Sequence, residues 1–262
     1  MTDAIEISRS GAAQVLRIVR PEKKNALTQA MYRALADAIE TGEADGSVAV
    51  HVLFGQPGIF SAGNDIGDFL AQAGGAGALP RDVVRFIELL PAVSKPLVAG
   101  ADGLAVGVGA TLLLHCDLVY VTPRTVLSTP FLDLGLVPEA GSSLLLPRRV
   151  GHVRAFEMLV LGEPFEAERA REAGLVNRIV APEDLEAVVL ATADRLAQKP
   201  PSALATARRL LRGESAETMA RMREESELFR SCLVSLEARE AFQAFLEKRK
   251  PDFAKFRGSG TI

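Results

Sequence analysis

The sequence predicts an α/β fold, a stacked or spiral series of β-β-α turns followed by a helical C-terminal region. Three observations lead there. Short strands rich in β-branched residues alternate with helical segments in the order strand, strand, helix, and that order recurs several times before residue 150. The turns between them carry glycine or proline. From Pro182 onward the apolar pattern is wholly helical, broken at Lys199-Pro200-Pro201 and at Gly213. No repeat is visible at the level of the residues themselves, so the periodicity is one of elements and not of sequence. Two regions are expected, a ββα core over 1–195 and a helical region over 196–262.

Taken in order, Ile5, Ile7, Val15, Ile18 and Val19 mark two strands around a Ser10-Gly11 turn. A polar loop with three cations follows, Arg20-Pro21-Glu22-Lys23-Lys24-Asn25-Ala26-Leu27. Thr28 then suits the N-cap of a helix whose Met31, Leu35, Ala38 and Ile39 share a face. Residues 48–54 read as a buried strand, ending in Gly55-Gln56-Pro57-Gly58 and then Phe60-Ser61-Ala62-Gly63-Asn64-Asp65-Ile66. Residues 73–80 have a linker's composition. A helix from Arg81 carries Val84, Ile87 and Leu90 towards Pro91.

The strand 97–99 leads through Gly100-Ala101-Asp102-Gly103 into a stretch containing Gly107-Val108-Gly109 that continues helical to His115. Strands are expected at 118–121 and 125–127, then an extended apolar run to Gly135, with Pro138 opening a helix that has Glu139 in its first turn. Helices near 152–161 and 166–173 and a strand at 176–180 complete the core. Leu211, Met219, Met222, Leu228, Phe229, Phe242, Phe245 and Leu246 give the C-terminal helices an apolar surface that packs on the core, on another subunit, or on both.

The composition removes several classes of function. Net charge is −3, with no long basic run, so nucleic acid is not an expected partner. No segment has the apolar length of a membrane span, and the first residues lack a secretory leader's pattern. Cys116 and Cys232 are far apart and outside any CxxC spacing, and read as reduced structural thiols. The expected location is the cytoplasm. His51, His115 and His152 offer no metal-ligand spacing, and Ser142 and Ser143 lack a GxSxG elbow. The glycines near Gly107 do not follow GxGxxG spacing, so a dinucleotide site is not expected.

Two turns remain that suit an anion. Ala62-Gly63-Asn64-Asp65 and Gly107-Val108-Gly109 each lie where a strand or loop passes into a helix, where backbone N–H groups are unpaired. Converging on one point, two such donors make an oxyanion hole; taken singly, each is ordinary turn chemistry. Lys23 and Lys24 suit phosphate as point charges or, equally, a solvated loop. Glu139 is the carboxylate set among Leu134, Leu136, Val137 and Leu144. By itself it suits a helix dipole as well as it suits chemistry.

At these residues the chain resembles the crotonase (enoyl-CoA hydratase/isomerase) superfamily over nearly its whole length, and within it the Δ3,Δ2-enoyl-CoA isomerases. The segments that carry the likeness are 20–27, 61–66, 103–111 and 129–143. The resemblance implies a spiral of ββα turns with a helical trimerisation region, giving a homotrimer or a dimer of trimers. It implies oxyanion donors at the backbone N–H of Asn64 and Val108. Lys23, Lys24, Ala26, Ala62, Gly63, Asn64, Asp65, Ile66 and Gly107 would hold an acyl-CoA, and Phe131, Leu134 and the 73–80 loop suit the wall of its acyl pocket or, equally, packing and linker. Phe253 and Lys255 would reach a neighbouring subunit's CoA. Coenzyme A enters as part of the substrate, and no separate cofactor or metal is implied.

Hydratases of the family use two glutamates, and the corresponding positions here hold Thr111 and Phe131. Glu139 stands where the isomerases place one catalytic carboxylate, and Val108 replaces the hydratases' central glycine. The implied reaction is 3-enoyl-CoA to 2-enoyl-CoA isomerisation in fatty acid β-oxidation or related acyl-CoA degradation. Two rival readings are hydration with Asp133 or Asp65 as a second acid, and acyl-CoA binding without catalysis.

Overall fold

The computed structural model describes residues 4–65, 67 and 79–257. Ile66 and most of the 73–80 linker lie outside them. The elements are β1 (Ile5–Ser10), β2 (Ala13–Ile18), α1 (Gln29–Ala44), β3 (Val50–Phe54), β4 (Ile59–Ser61), α2 (Arg81–Ala92), β5 (Leu97–Ala101), β6 (Leu104–Val106), α3 (Val108–Thr111), β7 (Leu118–Val121), β8 (Val126–Ser128), α4 (Ser142–Val150), α5 (His152–Leu159), β9 (Phe165–Glu166), α6 (Ala167–Glu172), β10 (Arg178–Ile179), α7 (Leu185–Ala197), α8 (Pro201–Arg212), α9 (Ser215–Leu233) and α10 (Leu236–Leu246).

The strands form two sheets, one ordered β1-β2-β3-β5-β7-β10 and the other β4-β6-β8-β9. After the antiparallel β1–β2 hairpin, each strand pair sends its first member to the larger sheet and its second to the smaller: β3 then β4, β5 then β6, β7 then β8. Neighbours so added are parallel, β3 with β5 and β5 with β7 in one sheet, β4 with β6 and β6 with β8 in the other. Parallel neighbours need crossovers, which α2 and α3 with its 3-10 extension provide. This is the expected spiral.

All five residues of β3 are buried, as parallel strands covered on both faces require. Val50, Val52 and Phe54 face α7 with Val98, Leu185 and Val189. Leu53 points into the larger core, with Leu35 and Ile39 of α1 and Phe86 and Leu90 of α2. α1 starts as the sequence predicts, with the Thr28 hydroxyl accepting from the Met31 N–H.

Several expectations are corrected. α2 buries Val83, Phe86 and Leu90, leaving Val84 and Ile87 half-buried, because the stripe is turned by one residue to meet α1. No extended run reaches Gly135: β8 stops at Ser128, residues 132–134 form a 3-10 turn, and Gly135 closes it at φ +66°. Pro138 does not open a helix. Ala140 and Gly141 take left-handed conformations, and α4 begins only at Ser142. The C-terminal helices break once more than predicted, where Ser235 accepts from the Ala238 N–H and caps α10. Among them Met222, Phe229 and Phe242 are buried in the chain's own core, whereas Leu211 and Leu246 are 88% and 68% exposed. Among the described residues no helix is long and apolar enough to cross a membrane.

Candidate active site

The site follows from three adjacent parallel strand ends. β4, β6 and β8 run side by side, with Ser61 paired to Ala105 and Val106 to Ser128. The chain therefore leaves all three at the same edge, carrying Asn64, Val108 and the 129–139 segment to one place. Glycine lets the first two turns touch. A Cβ on Gly63, held at φ +87°, would lie 2.7 Å from the Val106 carbonyl oxygen, and one on Gly109 would lie 2.7 Å from that of Ser61.

Both amides are left open. Around Asn64 the bridge to Leu27 is made by its neighbours: the Leu27 N–H donates to the Gly63 carbonyl at 2.7 Å and the Asp65 N–H to the Leu27 carbonyl at 2.9 Å. The Asn64 N–H thus points to the other side of the strand. Val108 is the first residue of α3, where an N–H has no intrahelical acceptor, while the Ala110 and Thr111 amides return to Gly107. Among the described residues neither the Asn64 nor the Val108 amide has an acceptor.

The loop 20–27 braces the first turn. Buried Asn25 donates to the Ile18, Ile59 and Phe60 carbonyls, and the Ala62 N–H donates to the Lys24 carbonyl at 2.9 Å. Arg20 pairs with Asp65 at 2.7 Å and also donates to the Ala26 carbonyl. Tyr32, buried on the core face of α1, donates to the Asn64 Oδ1 at 2.5 Å. Its phenol is held well above the usual range by burial and by the charge of nearby Glu139.

Glu139 lies in the wall of a mostly apolar chamber of about 730 Å³. Lys23, Ala26, Ala62, Gly63, Asn64, Asp65, Gly107, Val108 and Phe131 line the same chamber, so these expected residues are brought together. Lys24, Phe253 and Lys255 do not line it. Lys24 is exposed and contributes its carbonyl, and Lys255 pairs with Glu240 of its own chain. Leu134 and Leu136, expected around Glu139, line it too, while Phe229, Phe242, Phe245 and Arg249 complete much of the lining and were not singled out for the site from the sequence.

The Thr111 hydroxyl donates to the Glu139 Oε1 at 2.5 Å. Burial pushes the Glu139 carboxyl up to about 7, Thr111 opposes that rise, and the Glu225 charge adds to it. No helix N-terminus pulls it down, because α4 starts three residues later and Glu225 of α9 already occupies that end. The Glu225 carboxylate accepts from the Gly141 N–H at 2.6 Å, the Ser143 N–H at 2.9 Å and the Ser143 hydroxyl at 2.5 Å. His115, buried and pushed down to about 4 by that burial, is neutral, and its Nε2–H donates to the Ala140 carbonyl at 2.7 Å. That bond holds the turn just after Glu139, where Ala140 sits at φ +56°.

The chain as a whole has counterparts among known proteins. The family model of enoyl-CoA hydratase/isomerase matches residues 8–256. The chain belongs to the enoyl-CoA hydratase/isomerase family. A 2,3-dehydroadipyl-CoA hydratase from Escherichia coli K12 is 33% identical over 94% of this chain and 97% of its own. An enoyl-CoA delta isomerase 2 from Rattus norvegicus is also 33% identical, over 94% of this chain and 64% of its own. The crystal structure of an enoyl-CoA hydratase/isomerase from Pseudoalteromonas atlantica T6c superposes with a TM-score of 0.91 at 37% identity, covering 96% of this chain and all of that one. The crotonase fold read from the sequence is therefore the fold of this family member. The family acts on acyl-CoA thioesters, and this chain is an enzyme of that kind.

Proposed function

We propose that this enzyme isomerises 3-enoyl-CoA to 2-enoyl-CoA, with Glu139 carrying one proton between C2 and C4. The observation that carries the reading is a single raised carboxyl beside two unpaired amides, with Thr111 and Phe131 where a second acid would be needed. The thioester oxygen sits between the Asn64 and Val108 N–H groups, which stabilise the enolate as its charge develops. Each such donor is worth about 3–4 kcal/mol of barrier. Glu139 removes the C2 proton, the double bond moves from C3–C4 to C2–C3, and the same carboxyl returns the proton at C4. A carboxyl poised near 7 both accepts and gives back that proton readily at neutral pH.

Asp133 also lines the chamber, which favours hydration as the second reading. The test is Glu139→Gln against 3-enoyl-CoA and crotonyl-CoA. Isomerisation and deuterium exchange at C2 are expected to fall at least about a hundredfold while acyl-CoA binding persists. Unchanged isomerisation refutes the role of Glu139, and rapid loss of enoyl absorbance by the wild-type enzyme on crotonyl-CoA would favour the hydratase. Binding without any exchange at C2 in the wild type would leave a non-catalytic binder.

The assembly we propose is a homotrimer or a dimer of trimers in the cytoplasm. Supporting it, Leu210, Leu211, Leu236 and Leu246 of the C-terminal helices present exposed apolar side chains. A monomeric mass by sedimentation would overturn it.

A further inference from the structure

Behind the chamber lies a second, much smaller cavity of about 20 Å³, room for one water. It lies between α2 and α9, which pack against each other around it. Val83, Val84, Ile87 and Glu88 form its α2 wall, and Met222, Ser226 and Phe229 form its α9 wall. The last three recur at i, i+4 and i+7, so they make one stripe facing α2. Asn64, Glu139 and Phe229 line both cavities and are therefore the partition between them.

The partition has a direction. Among the described residues, the cations lining either cavity are Lys23 and Arg249, and both belong to the large chamber. The phosphates of a CoA ester belong with those cations. With the carbonyl oxygen on the Asn64 and Val108 amides and C2 to C4 under Glu139, the rest of the acyl chain points away from the cations, at Phe229. Past Phe229 the side chains met are mostly apolar, Leu79, Val83, Val84, Ile87 and Met222, with Glu88 and Ser226 as the further polar ones, so an apolar chain fits most of that lining.

We infer that Phe229 sets the length of acyl chain this enzyme accepts, its ring closing the passage from the catalytic chamber into the cleft between α2 and α9. The inference rests on the acyl-CoA reading above and goes beyond it in naming a specificity-determining residue and a substrate class: short, unbranched, apolar acyl groups. Ile87, Val84 and Met222 supply an apolar lining that becomes usable once the ring is removed.

The experiment is calorimetric titration of wild-type enzyme, Phe229→Leu and Phe229→Ala with saturated acyl-CoAs from butanoyl to dodecanoyl, which bind without turnover. In the wild type, affinity is expected to stop rising at about hexanoyl. In Phe229→Ala it is expected to keep rising about fourfold per added methylene over several more carbons, the gain for burying a CH₂. Phe229→Leu keeps an apolar core residue, so it guards against an alanine variant too unstable to use, and it is expected to extend the rise by fewer carbons. A wild-type affinity that climbs evenly through dodecanoyl overturns the inference, as does a plateau at the same length in wild type and Phe229→Leu. Turnover of 3-hexenoyl-CoA by the wild type tests the proposed reaction separately. Isomerisation with unchanged plateaus removes only the role of Phe229, whereas extended plateaus without isomerisation remove only the reaction.

Discussion

Glu139 owes its chemistry to the groups it touches. A carboxyl at the ordinary 4.5 would be a poor match for returning a proton to carbon at neutral pH, and burial moves this one to about 7. Thr111 holds it lower than burial alone would, through a hydrogen bond that favours the ionised form. Tyr32 acts on the other side of the chamber, at Asn64. Its hydroxyl fixes the Asn64 side chain, and so steadies the turn whose open N–H would face the substrate oxygen in the proposed reaction. A sharp expectation follows for the pH dependence of kcat/KM. If the base form of Glu139 starts the proposed reaction, the rate rises with pH through a midpoint near 7. Thr111→Val removes the opposing hydrogen bond while keeping the side chain's shape, and the midpoint is expected to move up by about one pH unit. A pH–rate profile that does not move in this variant would show that Thr111 has no hold on the acid.

At the scale of elements, what positions the site is the common edge of β4, β6 and β8, and much of this was legible beforehand. The ββα recurrence follows from β-branched runs and glycine turns. The two anion-suited turns follow from glycines at strand ends, and Asn64, Val108 and Glu139 do meet on one chamber. What was misread is local conformation around Glu139. Proline ahead of an apolar stretch resembles a helix start, but Ala140 and Gly141 turn left-handed and delay α4 to Ser142. The delay depends on groups remote in sequence. Glu225 satisfies the N–H groups of Gly141 and Ser143 from α9, and His115 holds the Ala140 carbonyl from the end of the α3 region. Periodicity cannot show such partners, though it leaves a trace: Glu225 falls within the buried stripe of Met222 and Phe229, where an unpaired charge is too costly to leave without a purpose. Tyr32 leaves a similar trace, a phenol on the buried face of α1 beside Met31 and Leu35. Within its own chain the C-terminal tail is held by Glu240 of α10, which gathers Arg249, Lys255 and the Asp252 N–H, and Arg249 and Pro251 line this chain's own chamber.

For the whole molecule, an acid kept in an apolar wall is a liability as well as a tool, and the sign of that liability can be worked out. In the unfolded chain Glu139 ionises around 4.5, whereas in the folded chain it holds its proton to about 7. Below the lower value both states are protonated and the fold keeps its full stability. Between the two values the unfolded chain ionises and the folded one does not, so stability falls as pH rises, and beyond 7 the loss is constant. At about 1.4 kcal/mol per pH unit the loss has an upper limit of about 3.5 kcal/mol, less whatever relaxation and water in the open chamber relieve. Glutamine cannot ionise, and it keeps an oxygen to accept from Thr111. Relative to the wild type, Glu139→Gln is therefore expected to gain thermal stability steadily from pH 5 to pH 8, by several degrees in Tm at the upper end, and to gain nothing further above that. Thermal unfolding of the two proteins across this range, both without substrate, reads the difference directly. Because the quantity compared is the change with pH, any constant cost of the unpaired glutamine N–H cancels. A difference in Tm that stays flat between pH 5 and 8 would mean that the folded protein does not hold this acid's proton to neutral pH. The proton shuttle assigned to Glu139 would then lose the property that suits it to the reaction.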